Sequence, residues 1–460
     1  MIDLSRLVKA YDVRGIVPDQ LNEPVAEALG RAFVQTLRVR GELGDTIVTA
    51  HDMRESGPGL ATAFAEGARA EGVDVVETGL GSTDLLYFAS GTLDLPGAMF
   101  TASHNPARYN GIKMCRKGAK PIGQDSGLSE IRERAEAILD GDVPASAAAV
   151  GTVTQRDMLD EYARHLRTLV DLTGIRRLKV VVDAGNGMGG YTVPAVLGDG
   201  SLPLEIVPLY FELDGSFPHH EANPLEPKNL IDLQLAVREH GADLGLAFDG
   251  DADRCFVIDE RGEAVSPSTI TAMVAVRELA KVPGATVIHN LITSRAVPEI
   301  VREHGGVPVR TRVGHSFIKA EMARTGAVFG GEHSAHYYFR DFWGADTGML
   351  AAIHTLAALG GQPLPLSELV KDDVRYADSG EINSEVADPK GKLAELGERY
   401  GRVDGVTLDF LDGTTIDFPD GSWANVRPSN TEPLLRLNVE AATIERMVAL
   451  RDELLGLIRA

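Results

Sequence analysis

Short apolar runs, each closed by glycine or a polar turn, recur along the chain and set the expected elements. Residues 45–50, Asp-Thr-Ile-Val-Thr-Ala, predict a strand, residues 59–70 a helix and residues 73–77 a second strand. The same texture returns at 179–183, where a strand meets a glycine-rich turn, a helix near 191–197 and a strand at 204–209. It returns again at 285–289, followed by a helix near 296–304 and a strand at 307–310. Three strand–helix–strand units about a hundred residues apart predict three similar α/β domains with largely parallel sheets. Gly97-Ala-Met-Phe100 and Leu244-Gly-Leu-Ala-Phe248 read as further buried strands.

Beyond Gly360-Gly-Gln-Pro-Leu-Pro365 the pattern changes. Residues 407–410, 415–418 and 422–426 alternate like half-exposed antiparallel strands, and a helix over 444–458 follows. Another seam lies in the alanine-rich stretch 141–151, after which residues 157–170 read as a helix. The expected domains are 1–148, 149–255, 256–367 and a smaller α+β domain, 368–460.

A chain of 460 residues is too long for one ordinary core. No segment has the roughly 18 uninterrupted apolar residues of a membrane span. The first residues carry no apolar signal core, so we expect a cytoplasmic protein. Its two cysteines, Cys115 and Cys255, are far apart and make no disulfide framework. A formal charge of −22 opposes binding to nucleic acid or an anionic membrane. An anionic small substrate would therefore need local clusters of positive charge. A monomer or weak homodimer is the expected assembly.

Chemistry concentrates in a few stretches. Thr101-Ala-Ser-His-Asn-Pro106 sets a hydroxyl, Ser103, beside an imidazole, His104, on a turn after a strand. Serine becomes a nucleophile when a base or metal activates it, or transfers a phosphoryl group it already carries. A turn in which Ser103 and Asn105 bond their own backbone is the plain alternative. Asp249-Gly-Asp251-Ala-Asp253-Arg254 carries alternate carboxylates on an expected extended loop. Such groups raise one another's pKa values unless a cation shares them, and oxygen ligands favour Mg²⁺ or Ca²⁺. A calcium helix–loop–helix site would need glycine where Arg254 stands, and a solvated acidic turn is a further alternative. Mg²⁺ held for phosphoryl chemistry fits the stretch better.

Gly185-Asn-Gly-Met-Gly-Gly190 formally fits a dinucleotide fingerprint, but a tight turn in a repeated unit explains it better. Donor groups cluster at Tyr11-Asp-Val-Arg14, Tyr109-Asn-Gly-Ile-Lys113, Gly314-His315-Ser316-Phe-Ile-Lys319 and Arg427-Pro-Ser429-Asn430-Thr431. Each suits phosphate, through arginine's planar fork or through hydroxyl and backbone donors, and each also suits plain solvation. Glu332-His-Ser334-Ala-His336 alternates polar groups along an expected extended segment, a set suited to adjacent sugar hydroxyls or to an ordinary polar loop.

In their order and spacing these stretches resemble the α-D-phosphohexomutase superfamily, in its phosphomannomutase/phosphoglucomutase branch, over the whole chain. The resemblance implies three similar α/β domains with mixed, mostly parallel sheets plus a C-terminal α+β domain around a central cleft. It implies a phosphoserine at Ser103 and Mg²⁺ held by Asp249, Asp251, Asp253 and an oxygen of the Ser103 phosphate. Glu332 and Ser334 match the pair that grips the sugar's 3- and 4-hydroxyls, with His336 a further contact. Arg427, Ser429, Asn430 and Thr431 match the site for the non-reacting phosphate, and His315 is expected to bind substrate. Tyr11, Arg14, His104, Lys113 and Arg254 match cleft residues near the transferring group, with His104 and Lys113 as the acid/base pair.

The implied activity is reversible exchange between mannose 1-phosphate and mannose 6-phosphate, with a hexose 1,6-bisphosphate as intermediate and activator. Glucose phosphates, as further or main substrates, and a Mg²⁺-dependent sugar phosphatase are the alternatives. Two departures stand out. Ile292 occupies a place where the family often has lysine, with Arg295 or Lys319 as substitutes, and His333 and Ala335 stand where methionine and glycine are more frequent.

Overall fold

The computed structural model describes residues 3–141, 149–429 and 434–460. Its first three units repeat one sheet pattern. In the first, Thr46–His51 lies between Asp74–Leu80 and Gly97–Phe100, parallel to both, and Gly97–Phe100 pairs antiparallel with Tyr109–Arg116. In the second, Leu178–Asp183 lies between Leu204–Leu209 and Leu244–Phe248, followed by antiparallel Cys255–Asp259. In the third, Thr286–Asn290 lies between Val307–Thr311 and Phe329–Gly331, followed by antiparallel Tyr337–Phe339. The central strands are rich in β-branched residues, as in Leu178-Lys-Val-Val-Val-Asp183, because helices cover both faces of the sheet.

This repeat has a consequence for chemistry. In each unit the strand before the antiparallel turn ends in a short loop, and the loops are 101–108, 249–254 and 332–336. They contain the serine, aspartate and glutamate stretches. The fourth unit is an antiparallel sheet in the order Ala377–Glu385, Leu434–Ala441, Trp423–Pro428, Thr414–Asp417, Thr407–Asp409. Helices Pro389–Tyr400 and Ile444–Arg459 accompany it.

The sheets move two expected seams. Val153–Gln155 adds to Asp74–Leu80 in the first sheet, past residue 148. Cys255–Asp259 and Ala264–Val265 belong to the second sheet, past residue 255. In both cases an added strand takes up backbone groups that the edge would otherwise leave open. Helices Pro267–Lys281 and Gly348–Gly360 escape a periodicity search because both are buried around most of their circumference.

One apolar core runs through the first three units, from Val48 and Phe88 through Tyr162 and Val181 to Ile270 and Phe342. A second, around Phe33 and Phe64, lies under the other face of the first sheet. The fourth unit has its own core, including Leu396, Val426, Leu437 and Leu454. Its links to the third unit include a small cluster of Leu291, Ile292 and Trp423 and an Arg310–Asp409 ion pair at 2.7 Å.

Candidate active site

Ser103 sits in a tight turn with φ of +50°, and its N–H donates to Thr101 Oγ1 at 2.9 Å. Arg54, only 1% exposed, braces the turn from behind. Its guanidinium donates to the carbonyls of Ser103 at 2.8 Å, Asn105 at 2.7 Å, Pro106 at 3.0 Å and Tyr109 at 2.9 Å. One planar fork thereby fixes four points of backbone. Arg14 holds the other side, bonding the Ala102 carbonyl at 3.3 Å and the Asn105 side chain.

The acidic loop closes on this turn. Ser103 Oγ donates to Asp249 Oδ2 at 2.7 Å and accepts from Arg254 Nη2 at 2.8 Å. His104 Nδ1 lies 3.2 Å from the same hydroxyl and meets Arg254 Nη2 as well. A Cβ at Gly250 would fall 2.3 Å from the Ser103 carbonyl oxygen, so only glycine allows this approach. Gly187 is tight for a related reason, since its Cβ would lie 2.7 Å from the Gly250 carbonyl oxygen. Met188 N–H donates to that oxygen at 2.9 Å, so the glycine-rich turn buttresses the acidic loop.

The acidic segment is itself a tight turn and not the extended loop expected from sequence. Ala252 N–H returns to the Asp249 carbonyl at 3.0 Å, with φ of +58° at Ala252. The turn nevertheless gathers one oxygen each of Asp249, Asp251 and Asp253 within 4.8 Å, all buried. Lys113 Nζ bridges Asp251 at 2.7 Å and Asp253 at 2.6 Å, and Thr83 Oγ1 donates to Asp251 at 2.6 Å. The Oδ1 atoms of Asp251 and Asp253 are buried with no hydrogen-bond partner. Unsatisfied buried carboxylate oxygens are costly, and a hard divalent cation with oxygen ligands fits this set.

Burial pushes Asp249 well above the usual carboxylate range, although Arg254 opposes it. Burial also disfavours charge on Asp251, but Lys113 and Thr83 outweigh it and hold that carboxyl low. For Lys113 burial is likewise outweighed, by Asp251 and Asp253, and its ammonium is held above the ordinary range. Burial, then Arg254 and Arg14, drive His104 far below its ordinary value, so its ring is neutral.

The third loop also turns instead of running extended. Glu332 N–H donates to the His336 carbonyl at 3.0 Å, and Ala335 has φ of +63°. Glu332, 2% exposed, accepts from Asn290 at 3.2 Å, Gly314 N–H at 3.2 Å and Tyr338 OH at 2.7 Å. Ser334 Oγ lies 3.1 Å from His336 Nδ1, and His336 Nε2 lies 3.6 Å from Asp253 Oδ1. A backbone bridge from Arg254 to His336 ties this loop to the acidic one. Tyr11 packs edge-on against His315 with centroids 4.8 Å apart, joining the first and third units. Burial lowers His315 to about 3, which leaves it neutral, and raises the Tyr11 phenol.

In the fourth unit Arg427, 4% exposed, donates to Asn438 Oδ1 at 2.9 Å and to Glu381. Ser429 N–H donates to the Leu434 carbonyl at 2.9 Å. Asn430 and Thr431 lie outside the described residues. A cavity of about 460 Å³ is lined by Ile292, His333, Ser334, Glu381, Arg427 and Arg436 among others. Across the first, third and fourth units a larger cleft of about 980 Å³ takes in Tyr11, Arg312, Arg427 and Ser429. Neither basic residue expected to replace the lysine at Ile292 is free to do so. Arg295 bonds Asp417 and the Gly421 carbonyl, and Lys319 is buried 2.5 Å from Asp346 Oδ1 and 4.2 Å above the Tyr87 ring.

Four contributors went unread in the sequence: Arg54, Thr83, Asp346 and Glu381. Arg54 and Thr83 stand just past the ends of parallel strands Thr46–His51 and Asp74–Leu80, where open α/β sheets carry their ligand groups, and that rule would have flagged them. Asp346 and Glu381 lie within strands Ala345–Asp346 and Ala377–Glu385 and carry no local signal.

Family models described as phosphoglucomutase/phosphomannomutase match the chain in four pieces. They are α/β/α domain I over residues 5–141, domain II over 160–262, domain III over 267–376 and the C-terminal domain over 381–457. A phosphomannomutase of Salmonella montevideo is 40% identical, with 98% of each chain covered. Phosphohexose mutases of Xanthomonas campestris are 40% identical over 94% of each chain. Among solved structures, a phosphoglucomutase/phosphomannomutase family protein of Burkholderia thailandensis superposes with a TM-score of 0.89 at 34% identity, covering 99% of this chain and 97% of its own. The open form of parafusin, a phosphoglucomutase of Paramecium, shares the fold at 17% identity, with a TM-score of 0.81 over 98% of this chain and 94% of its own.

Proposed function

Because this chain belongs to the phosphoglucomutase/phosphomannomutase family, and is thereby an isomerase-class phosphotransferase, we propose that it interconverts mannose 1-phosphate and mannose 6-phosphate. The exchange runs through a phosphoserine at Ser103 and a hexose 1,6-bisphosphate, which also serves as activator. One observation carries this reading: Ser103 Oγ meets Asp249 at 2.7 Å and Arg254 at 2.8 Å, across two units of the fold. A serine set against an acidic cluster beside a guanidinium suits the giving and taking of a phosphoryl group.

Asp249, Asp251, Asp253 and an oxygen of the phosphoryl group on Ser103 would hold Mg²⁺. That ion supplies charge neutralisation for the transferring group. In the first transfer the O–P bond at Ser103 breaks as a bond forms to the free hydroxyl oxygen of the sugar phosphate, whose proton leaves while the Ser103 oxygen takes one up and ends as a hydroxyl. In the second, Ser103 Oγ takes the other phosphoryl group from the bisphosphate and loses its proton. In this reading neutral His104, with Nδ1 3.2 Å from Oγ, would be the base once Arg254 turns to the phosphoryl group and Asp249 to the cation, and Lys113 would be the acid once a cation takes Asp251 and Asp253 from its ammonium. Arg14 and Arg254 orient the reacting end, and Tyr11 and His315 wall the cleft beside it.

Glu332 with Ser334 would hold hydroxyls common to mannose and glucose, and His336 would add a contact, so glucose phosphates form a second substrate pair. Arg427 and Ser429, with Asn430 and Thr431, would hold the phosphate that does not react. Water must be kept out, since hydrolysis of the phosphoserine would turn a mutase into a phosphatase.

Phosphorus NMR of the protein with Mg²⁺, a trace of glucose 1,6-bisphosphate and mannose 1-phosphate tests the reading. We expect the 1-phosphate signal to convert to a 6-phosphate signal, faster than with glucose 1-phosphate, and no inorganic phosphate. Release of inorganic phosphate, or an unchanged spectrum, would refute it.

A further inference from the structure

Arg427 and Arg436 stand directly opposite each other on the adjacent strands Trp423–Pro428 and Leu434–Ala441. Like charges in that relation repel at close range and need a shared anion. Glu381 supplies one. A β-bulge between Asp378 and Glu381 in the neighbouring strand re-aims the chain there. The Glu381 carboxylate accepts from Arg427 with one oxygen and from Arg436 Nη1 at 2.9 Å with the other. Its side chain is 20% exposed, so it faces the cavity and is not sealed in the sheet.

At contact one carboxylate serves two guanidinium groups, with Asp412 acting on Arg427 from farther off, whereas a phosphate dianion would match both directly. The carboxylate also presents its two oxygens much as a phosphate would. A second partner for a displaced Glu381 is close, since His333 Nε2 lies 3.9 Å from Oε2.

The geometry points to Glu381 as an internal stand-in for phosphate. It occupies the paired arginines in the empty cleft, and the non-reacting phosphate of the sugar displaces it on binding. This rests on the reading above that Arg427 belongs to the phosphate site. An internal competitor lowers apparent affinity by the fraction of molecules in which it has let go. It also eases release, which a mutase needs because its bisphosphate must turn over between two transfers. A carboxylate that merely positioned Arg427 would do the reverse, and its loss would weaken phosphate binding.

The two roles differ in sign, so titration calorimetry of the full-length protein with inorganic phosphate, at fixed pH and ionic strength, separates them. We expect Glu381→Gln to bind phosphate about tenfold more tightly than wild type, because the competing charge is gone while the side-chain volume is kept. Glu381→Asp, which keeps the charge but draws it back, is expected to tighten binding about two- to threefold, and it serves if the glutamine variant fails to fold. Arg427→Ala should weaken binding about tenfold or more. Unchanged or weaker binding by both Glu381 variants, with Arg427→Ala still weak, overturns the stand-in role and leaves the phosphate site in place. Should Arg427→Ala bind as wild type, the site assignment and the stand-in role both fall.

Discussion

Ser103 Oγ touches a carboxylate and a guanidinium at once, and its own role at that junction can be isolated. Ser103→Ala removes the oxygen that would carry the phosphoryl group while leaving Asp249 and Arg254 paired with each other. We expect turnover to fall about 10³-fold or more, because no nucleophile remains, with little change in melting temperature. Phosphoryl transfer from labelled glucose 1,6-bisphosphate to the protein should vanish with it. Retention of label would move the acceptor to another residue.

At the scale of elements, two buried polar joints deserve separate tests. Arg54 follows strand Thr46–His51 and braces the Ser103 turn through four carbonyls. Lysine offers a point charge without the fork and reaches fewer of them. For Arg54→Lys we expect kcat to fall about 10²-fold with KM nearly unchanged, the cost of a reacting group displaced by about 1 Å. A raised KM at full kcat would contradict a loop-positioning role.

The second joint is Asp84 in the first turn of helix Thr83–Leu93. It accepts from Tyr162 OH at 2.7 Å and Thr347 Oγ1 at 2.7 Å, so elements of three units meet on one carboxylate. Burial raises it from 3.8 to about 6 despite those bonds. The folded state therefore holds the proton between those values. Its stabilising contribution is full below about pH 4 and is lost as pH rises through 6, an effect of up to about 3 kcal/mol. Asp84→Asn cannot titrate, so urea unfolding should show the variant gaining on wild type by that amount between pH 4 and 7. Parallel stability curves for the two proteins would exclude this assignment.

For the whole molecule, the division of the core sets what can move. The first three units share one apolar core, while the fourth keeps its own and meets the third across a small cluster and ion pairs. Rigid-body rotation of the fourth unit breaks few apolar contacts, and it would carry Arg427 toward or away from the Ser103 turn. We expect the radius of gyration by small-angle scattering to decrease when glucose 1,6-bisphosphate binds. Superimposable profiles with and without it would argue against closure.

Much of the scaffold was legible in the chain itself. Fully buried strands such as Gly97–Phe100 and Leu244–Phe248 are short apolar runs whose lengths and flanking turns announce them. Chemistry-bearing loops could be found because each follows such a strand. Their curvature could not, and the acidic loop and the loop at 332–336 proved to be turns because backbone bonds close them within a few residues.

Hydrophobic period, turn chemistry and charge order are local properties, and sequence determined them. Tertiary structure alone decided which local features meet. Thr83 reaches Asp251 across 168 residues, Ser103 reaches Asp249 across 146 and Glu381 reaches Arg427 across 46. No local pattern encodes those pairs, because burial first removes water and only then makes each partner's choice of neighbour energetically strict.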